Sequence, residues 1–160
     1  MNFSKILESK TKIRFQDCDP FNHLNNGAYF NYLINAREDQ LMANYNLDIY
    51  KHGKEKGKSW VVASHQIAYL KPATLMETVC IDSQLIKYGS KNLLVEIRMW
   101  NETKTELKAI LWSSFVYFNL LKLSSEKHSD DLLALFENVV LPVDQFNFEE
   151  RVQSFRFQKV

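Results

Sequence analysis

Residues 59–120 constrain the fold more than any other part of this chain. They read SWVVASHQIAYLKPA, then TVCIDSQLIKY, NLLVEIRMW and LKAILWSSFVYFNL, with short polar breaks such as Gly89-Ser90 and NETKTE between the last three. Runs of β-branched and aromatic residues bounded by turn formers specify an antiparallel meander. A sheet of this size must bury at least one face, and the preceding sequence supplies the cover. From about Asn26 to Tyr45 the residues Tyr29, Tyr32, Leu33, Ala36, Leu41 and Met42 recur near helical spacing, with Asn25 or Asn26 as N-cap. Arg37, Glu38 and Asp39 are expected on the wetter side of that helix. A first short strand over Lys12–Gln16, ended before Pro20, completes the order strand, long helix, four strands. The expected class is α+β, with the helix packed on one sheet face.

The flanking segments are simpler. Residues 51–58, KHGKEKGK, are polar and contain glycine, so a solvated loop is expected; the alternative is a set of cations placed near the phosphates of a ligand. A short amphipathic helix begins after Ser129 as N-cap, with Leu132, Leu133, Leu135 and Phe136 as its apolar residues. Beyond Pro142 the alternating pairs Phe146/Phe148 and Phe155/Phe157 suit an added strand or a partner contact. At 160 residues the chain fits one domain with a sizeable core.

Composition excludes several classes of function. A net charge of +1 lacks the basic face that a nucleic acid would require. No apolar run approaches the roughly 20 residues that span a bilayer, and the start MNFSKILESKTK lacks the apolar core of a secretory signal. Cys18 and Cys80 are far apart and without zinc-type spacing, so a cytoplasmic protein with free thiols is expected. Eleven Phe and seven Tyr leave room for a subunit contact or an apolar ligand tunnel.

Chemistry concentrates in RFQDCDPFNHLNNGAY, Arg14 to Tyr29, where Asp17, Asp19, His23, Asn25 and Asn26 fall within ten residues between a strand and a helix. A packed core does not need such groups, and burying them is costly unless they find partners. The helix that follows brings unpaired N–H groups suited to negative charge. Cys18, flanked by two carboxylates, gains no help in forming a thiolate. Asp17, Asp19 and His23 offer oxygen and nitrogen ligands, but no second histidine stands at ligand spacing, so no metal is expected.

The run D-C-D-P-x-x-H-x-N-N-x-x-Y from Asp17 to Tyr29, followed by a long helix, resembles the 4-hydroxybenzoyl-CoA thioesterase-like branch of the hotdog-fold acyl thioesterases. VVASHQIAYLKPA, Val61 to Ala73, is similar to the strand after the helix in that group, down to its Tyr-Leu-Lys-Pro ending. The resemblance covers roughly residues 10–122 and leaves 123–160 as a C-terminal helix and tail of a single hotdog domain. It implies a five-stranded antiparallel sheet wrapped around a long helix, and a homodimer or homotetramer with active sites at the subunit interface. The implied activity is hydrolysis of an acyl thioester of coenzyme A or acyl carrier protein, without a cofactor.

The same resemblance assigns roles. Asp19 aligns with the aspartate that acts as nucleophile or general base. Asn26 aligns with the position whose backbone N–H polarises the thioester carbonyl at the helix N-terminus, and Gly27 offers a second N–H beside it. His23 occupies the position of a histidine in the plant acyl-carrier-protein thioesterases, where it either orients water and bonds Asp19 or serves the loop structurally. Those enzymes carry an asparagine where this chain has Phe21, so their mechanism does not transfer whole. Their later acidic and cysteine pair is missing at Lys87-Tyr88-Gly89, a departure that favours a simple Asp-centred mechanism. Asp17 reads as scaffold, Asn25 as a partner for loop carbonyls or the second subunit, and Tyr29 as packing near the site. His65, in a strand, is expected to share a face with Val61, Ala63, Ile67 and Tyr69. There it either bonds the partner subunit or lines a pocket near Asp19. Two other readings stay open: a hotdog hydratase or dehydratase, and a non-catalytic acyl or acyl-carrier-protein binding module.

Overall fold

A computed structural model describes residues 2–156. Five strands form a continuous antiparallel sheet: β1 (Leu7–Lys12), β2 (Lys58–Tyr69), β3 (Thr78–Tyr88), β4 (Asn92–Asn101) and β5 (Leu107–Asn119), in the order β1-β3-β4-β5-β2. A two-residue strand, β6 (Ser124–Ser125), adds to β5. The sheet curls around helix α1 (Tyr29–Tyr45), which is preceded by a 3-10 turn over Asn26–Ala28. The α+β arrangement, with one short strand and four long ones, matches the sequence expectation. The first strand starts earlier, at Leu7, and the segment expected to be strand contains a 3-10 turn at Phe15–Asp17.

Helix α1 buries Tyr29, Leu33, Ala36, Arg37, Gln40 and Tyr45, the i, i+4, i+7, i+8 pattern of a face laid on a sheet. Beneath them lie Val79, Ile81, Ile97, Met99 and Leu111. Arg37 was expected on the wetter side and is instead 7% exposed. Its burial, and that of Gln40, depends on polar partners across the interface: Arg37 Nη1 donates to Ser83 Oγ at 2.9 Å, and Gln40 Nε2 donates to Ile81 O at 2.9 Å.

Residues 51–58 are not a loop. Helix α2 (Ile49–Lys56) starts where Asp48 accepts from the N–H groups of Tyr50 and Lys51 at 3.0 and 3.1 Å. It ends where Gly57, at φ 68°, supplies the left-handed C-cap. Of the two glycines that suggested a loop, Gly57 is the helix terminator and Gly53 lies within the helix.

Helix α3 (Asp130–Val139) begins as expected, with Ser129 Oγ accepting from Leu132 N–H at 3.3 Å, and buries Leu132, Phe136 and Val139 at one end of the core beside α1. The phenylalanine-rich tail is a helix rather than a strand: α4 (Phe148–Arg156). Phe148, Val152 and Phe155 stand at i, i+4 and i+7 and cover the outer face of the sheet, with Phe148 against Trp112 and Phe155 against Trp100. Phe157 lies outside the described residues. Among the described residues, no helix is long and apolar enough to cross a membrane.

Strand β2 forms one edge. The register to β5 shifts between Val62 and Ser64, so a bulge at Ala63 changes which side chains face inward. Trp60 and Val62 pair with Tyr117 and Phe115, whereas His65, Ile67 and Tyr69 pair with Ser113, Leu111 and Ala109. His65 therefore shares the helix-side face with Trp60, Val62, Ile67 and Tyr69. Val61, expected on that face, lies on the other side because one extra residue reverses the alternation.

Candidate active site

The loop before α1 is a compact strap rather than an open turn. Cys18 and Leu24 form an antiparallel bridge, as do His23 and Thr74, and Leu24 N–H donates to Ala73 O at 2.8 Å. Asn22 closes the intervening turn at φ 62°, a conformation asparagine tolerates better than most residues. This strap fixes Asp19. One carboxylate oxygen, Oδ1, accepts from the backbone N–H groups of Phe21 and His23 at 2.9 and 3.1 Å. Among the described residues, none donates a hydrogen bond to the other oxygen, Oδ2. The carboxylate is thus oriented through one oxygen and available through the other.

Asp19, His23, Asn26 and Tyr29 line one cavity of about 230 Å³, together with Leu24 and the run from Tyr69 to Pro72. Asn25 caps the helical entry, its Oδ1 accepting from Gly27 N–H at 2.9 Å. That bond occupies the Gly27 N–H, which was expected to serve as a second donor to a ligand. Asn25 itself is exposed and engaged with its own loop, its N–H donating to Asp17 O at 2.9 Å. Asn26 sits at the positive end of the helical segment, where about half a unit charge accumulates.

Tyr29 is 2% exposed, and its hydroxyl accepts from Ala73 N–H at 3.1 Å, tying the helix start to the segment after β2. Burial pushes this phenol's pKa up. Asp17 is scaffold: its Oδ2 accepts from the Tyr32 hydroxyl at 2.5 Å. Burial, then the Asp17 and Asp19 charges, pushes the Cys18 thiol up, away from thiolate character.

His23 meets Asp19 through its main chain and not through its imidazole. His65 does not line this cavity within the chain; it is exposed on β2, its ring 4.6 Å from that of Phe30. Two residues at the site lie in the Tyr-Leu-Lys-Pro ending without having been singled out. Tyr69 donates from its hydroxyl to Asn26 O at 3.0 Å and stacks edge-on against Tyr29, while Lys71 lines the cavity and donates to Glu106 at 3.1 Å. The α2 lysines are remote. They adjoin the Lys58 end of β2, and Tyr69 is eleven residues further along, about 36 Å at strand rise. Among the described residues, no group of three or more His, Cys, Asp or Glu is arranged to hold a metal ion.

Comparison with known proteins agrees with this architecture. The long-chain acyl-CoA thioesterase FadM of Escherichia coli (strain K12) is 27% identical over 114 residues, 71% of this chain and 84% of that protein. The crystal structure of YbaW, a probable thioesterase from Escherichia coli, superposes with a TM-score of 0.72 at 25% identity, covering 84% of this chain and 99% of that one. A DHNA-CoA thioesterase from Staphylococcus aureus shares the fold at a TM-score of 0.74 and 15% identity, over 94% and 93% of the two chains. The family model of the thioesterase-like superfamily matches residues 13–143, from the buried Ile13 just after β1 to beyond α3. With its sheet curled around α1 and its polar loop at the helix start, the chain belongs to the thioesterase-like superfamily, in the hotdog fold.

Proposed function

We propose that this hotdog-fold thioester hydrolase acts as one domain on acyl-CoA thioesters, with Asp19 as the reacting carboxylate. The observation that carries the reading is the shared cavity of Asp19 and the helical N-terminus at Asn26, with Asp19 Oδ2 left without a donor among the described residues. The thioester carbonyl sits toward the Asn26 N–H, where the helix dipole stabilises the oxyanion. Asp19 either takes the proton of an attacking water or attacks the carbonyl carbon itself. The tetrahedral intermediate then collapses and the C–S bond breaks. In the first route coenzyme A leaves as the thiol, taking the proton that Asp19 removed from water. In the second it leaves as the thiolate, and water then hydrolyses the acyl–Asp19 anhydride, releasing the acid and freeing Asp19. Tyr69 positions Asn26 by bonding its carbonyl.

The working unit in this reading is a dimer formed along β2. Residues 61–66 of this edge strand are exposed, and residues 59–70 contain no charge. Natural edges that stay unpaired are shielded by charge, proline, short length or bulges; β2 is twelve residues long, has its only charge at Lys58 and no proline, and carries one bulge, at Ala63. Pairing two copies there would bring His65 to the interface.

The test is thiol release from short, long and aromatic acyl-CoAs, repeated with acyl carrier protein. Asp19→Asn should lower turnover by about a hundredfold or more while leaving the fold intact. Wild-type-like turnover in that variant removes Asp19 from the mechanism. Hydration of an enoyl-CoA without thiol release makes the protein a hydratase, and saturable binding without turnover makes it a binding module. Sedimentation tests the dimer: Val61→Lys should yield folded monomer, and an unchanged assembly would remove β2 from the interface.

A further inference from the structure

A second cavity lies deeper along α1, and among the described residues one of its lining charges is paired with no carboxylate. It measures about 160 Å³, between α1, α3 and the inner face of the sheet, with walls that include Leu41, Val95, Phe115, Leu135 and Phe136. Arg37 lines it. Its Nη1 is taken by Ser83, whose own hydroxyl donates to Gln40 Oε1 at 2.6 Å. The buried Nε has no hydrogen-bond partner. Among the described residues, no carboxylate forms an ion pair with it. Glu38, which also lines the cavity, accepts from the Tyr50 hydroxyl at 2.8 Å. Burial lowers the Arg37 guanidinium to about 10, which still leaves it charged at neutral pH.

A buried charge without a partner is costly, and a guanidinium that lines an apolar cavity with no carboxylate on it is half of a charge-assisted hydrogen bond. We infer that this cavity binds an aliphatic carboxylic acid, with its carboxylate on the Arg37 guanidinium and its chain among the leucine, valine and phenylalanine walls. A cavity of about this volume admits a molecule the size of benzene, so roughly six carbons fit inside and a medium chain is the best match.

The carboxylate has two possible sources: the free acid released by hydrolysis, or the distal carboxyl group of an ω-carboxyacyl thioester. The first is favoured by the separation of the two cavities, which share no lining residue. Phe30 and His65, in ring contact, occupy the stretch between Tyr29 and Tyr69 of one and Ile34 and Val62 of the other.

Calorimetric titration of the full chain with octanoate, octan-1-ol and octylammonium tests the inference without requiring catalysis, so it stands or falls apart from the thioesterase reading. Octanoate should bind saturably, octanol at least about tenfold more weakly, and octylammonium not at all, since a hydrogen bond to a charged group carries about 1.5–3 kcal/mol. Arg37→Met should weaken octanoate by at least about that factor and leave octanol unchanged. Leu135→Trp, which fills the cavity with Arg37 intact, should abolish binding of both. Absence of octanoate binding, equal affinity for octanol, or octanoate binding untouched by both variants overturns the inference. Kinetics then separate the sources. Octanoate that lowers kcat of acyl-CoA hydrolysis without changing KM identifies the free acid. A kcat/KM advantage for ω-carboxyoctanoyl-CoA over octanoyl-CoA, lost in Arg37→Met, identifies the distal carboxyl group.

Discussion

Arg98 and Arg37 are buried to similar degrees, 4% and 7% exposed, against opposite faces of one sheet, and their surroundings differ completely. On the outer face, Arg98 donates to Asp82 and Gln84 at 2.8 Å each and also to Glu96. Glu96 in turn accepts from Trp112 at 2.8 Å and from Arg151 of α4 at 2.8 and 2.9 Å, and Asp82 is bridged by Lys104 at 2.9 Å. On the inner face, Arg37 has one serine hydroxyl and an orphaned Nε. A network in which each charge is matched holds α4 to the sheet. A charge left unmatched beside a cavity does nothing comparable for the fold, which is why it reads as a binding group.

The largest expected effect comes from breaking the matched network at its centre. Arg98→Met leaves the Asp82 and Glu96 carboxylates buried with only part of their compensation, and removing one partner of a buried pair costs about 3–5 kcal/mol. Urea unfolding at neutral pH should show a loss of that order. A loss below about 1 kcal/mol would mean that the outer network behaves like a solvated surface, and the contrast between the two faces would fail.

A smaller effect, with a distinctive pH dependence, is expected at the edge of the network. Burial pushes the Glu96 carboxyl up, but the Arg151 hydrogen bonds and the charges of Arg98 and Arg151 outweigh this and hold it below the usual carboxylate range. A group whose pKa is depressed on folding contributes stability that is present above its unfolded value, near 4.3, and lost as pH falls through the folded value. Arg151→Gln should therefore cost about 1.5–3 kcal/mol at neutral pH. The gap to wild type should narrow as both proteins are taken below the ordinary carboxylate range. Urea midpoints across a pH series measure this; a gap that stays constant to low pH would show that Arg151 acts through packing on Phe155, its ring 4.6 Å away, and not through Glu96.

Much of this arrangement was legible from local pattern, and what was not depends on residues far apart in sequence. The strand runs, the helix over Tyr29–Tyr45, the Ser129 cap and the polar loop around Asp19 announce themselves through spacing and turn chemistry. The bulge at Ala63 does not, because a single extra residue reverses a face without any compositional mark. Helix α2 was hidden by Gly53 and Gly57, although an aspartate cap and a terminal glycine were both present. Helix α4 carried the i, i+4, i+7 signal in Phe148, Val152 and Phe155, masked by the alternation of phenylalanine pairs. The burial of Arg37 rests on Ser83, 46 residues away, and no window of sequence around the helix contains that information. At the site, Asp19 and Asn26 line one cavity, whereas Gly27 is consumed by the Asn25 cap.

The smallest expected effect is also the one that most sharpens the contrast. Arg37→Met removes a buried charge that lacks a counter-ion and replaces it with an apolar chain of similar reach. The lost Ser83 bond costs roughly 1 kcal/mol, and relief of the desolvation penalty offsets it, so stability should stay within about 1 kcal/mol of wild type or rise. The Ser83 hydroxyl keeps its own bond to Gln40 and is not orphaned by the change. Parallel urea titrations of Arg37→Met and Arg98→Met, two identical replacements at similarly buried sites, compare the faces directly. Losses of equal size would mean that Arg37 is as structural as Arg98. A large loss for Arg98→Met alone leaves the inner arginine as a group whose charge is retained for something other than folding.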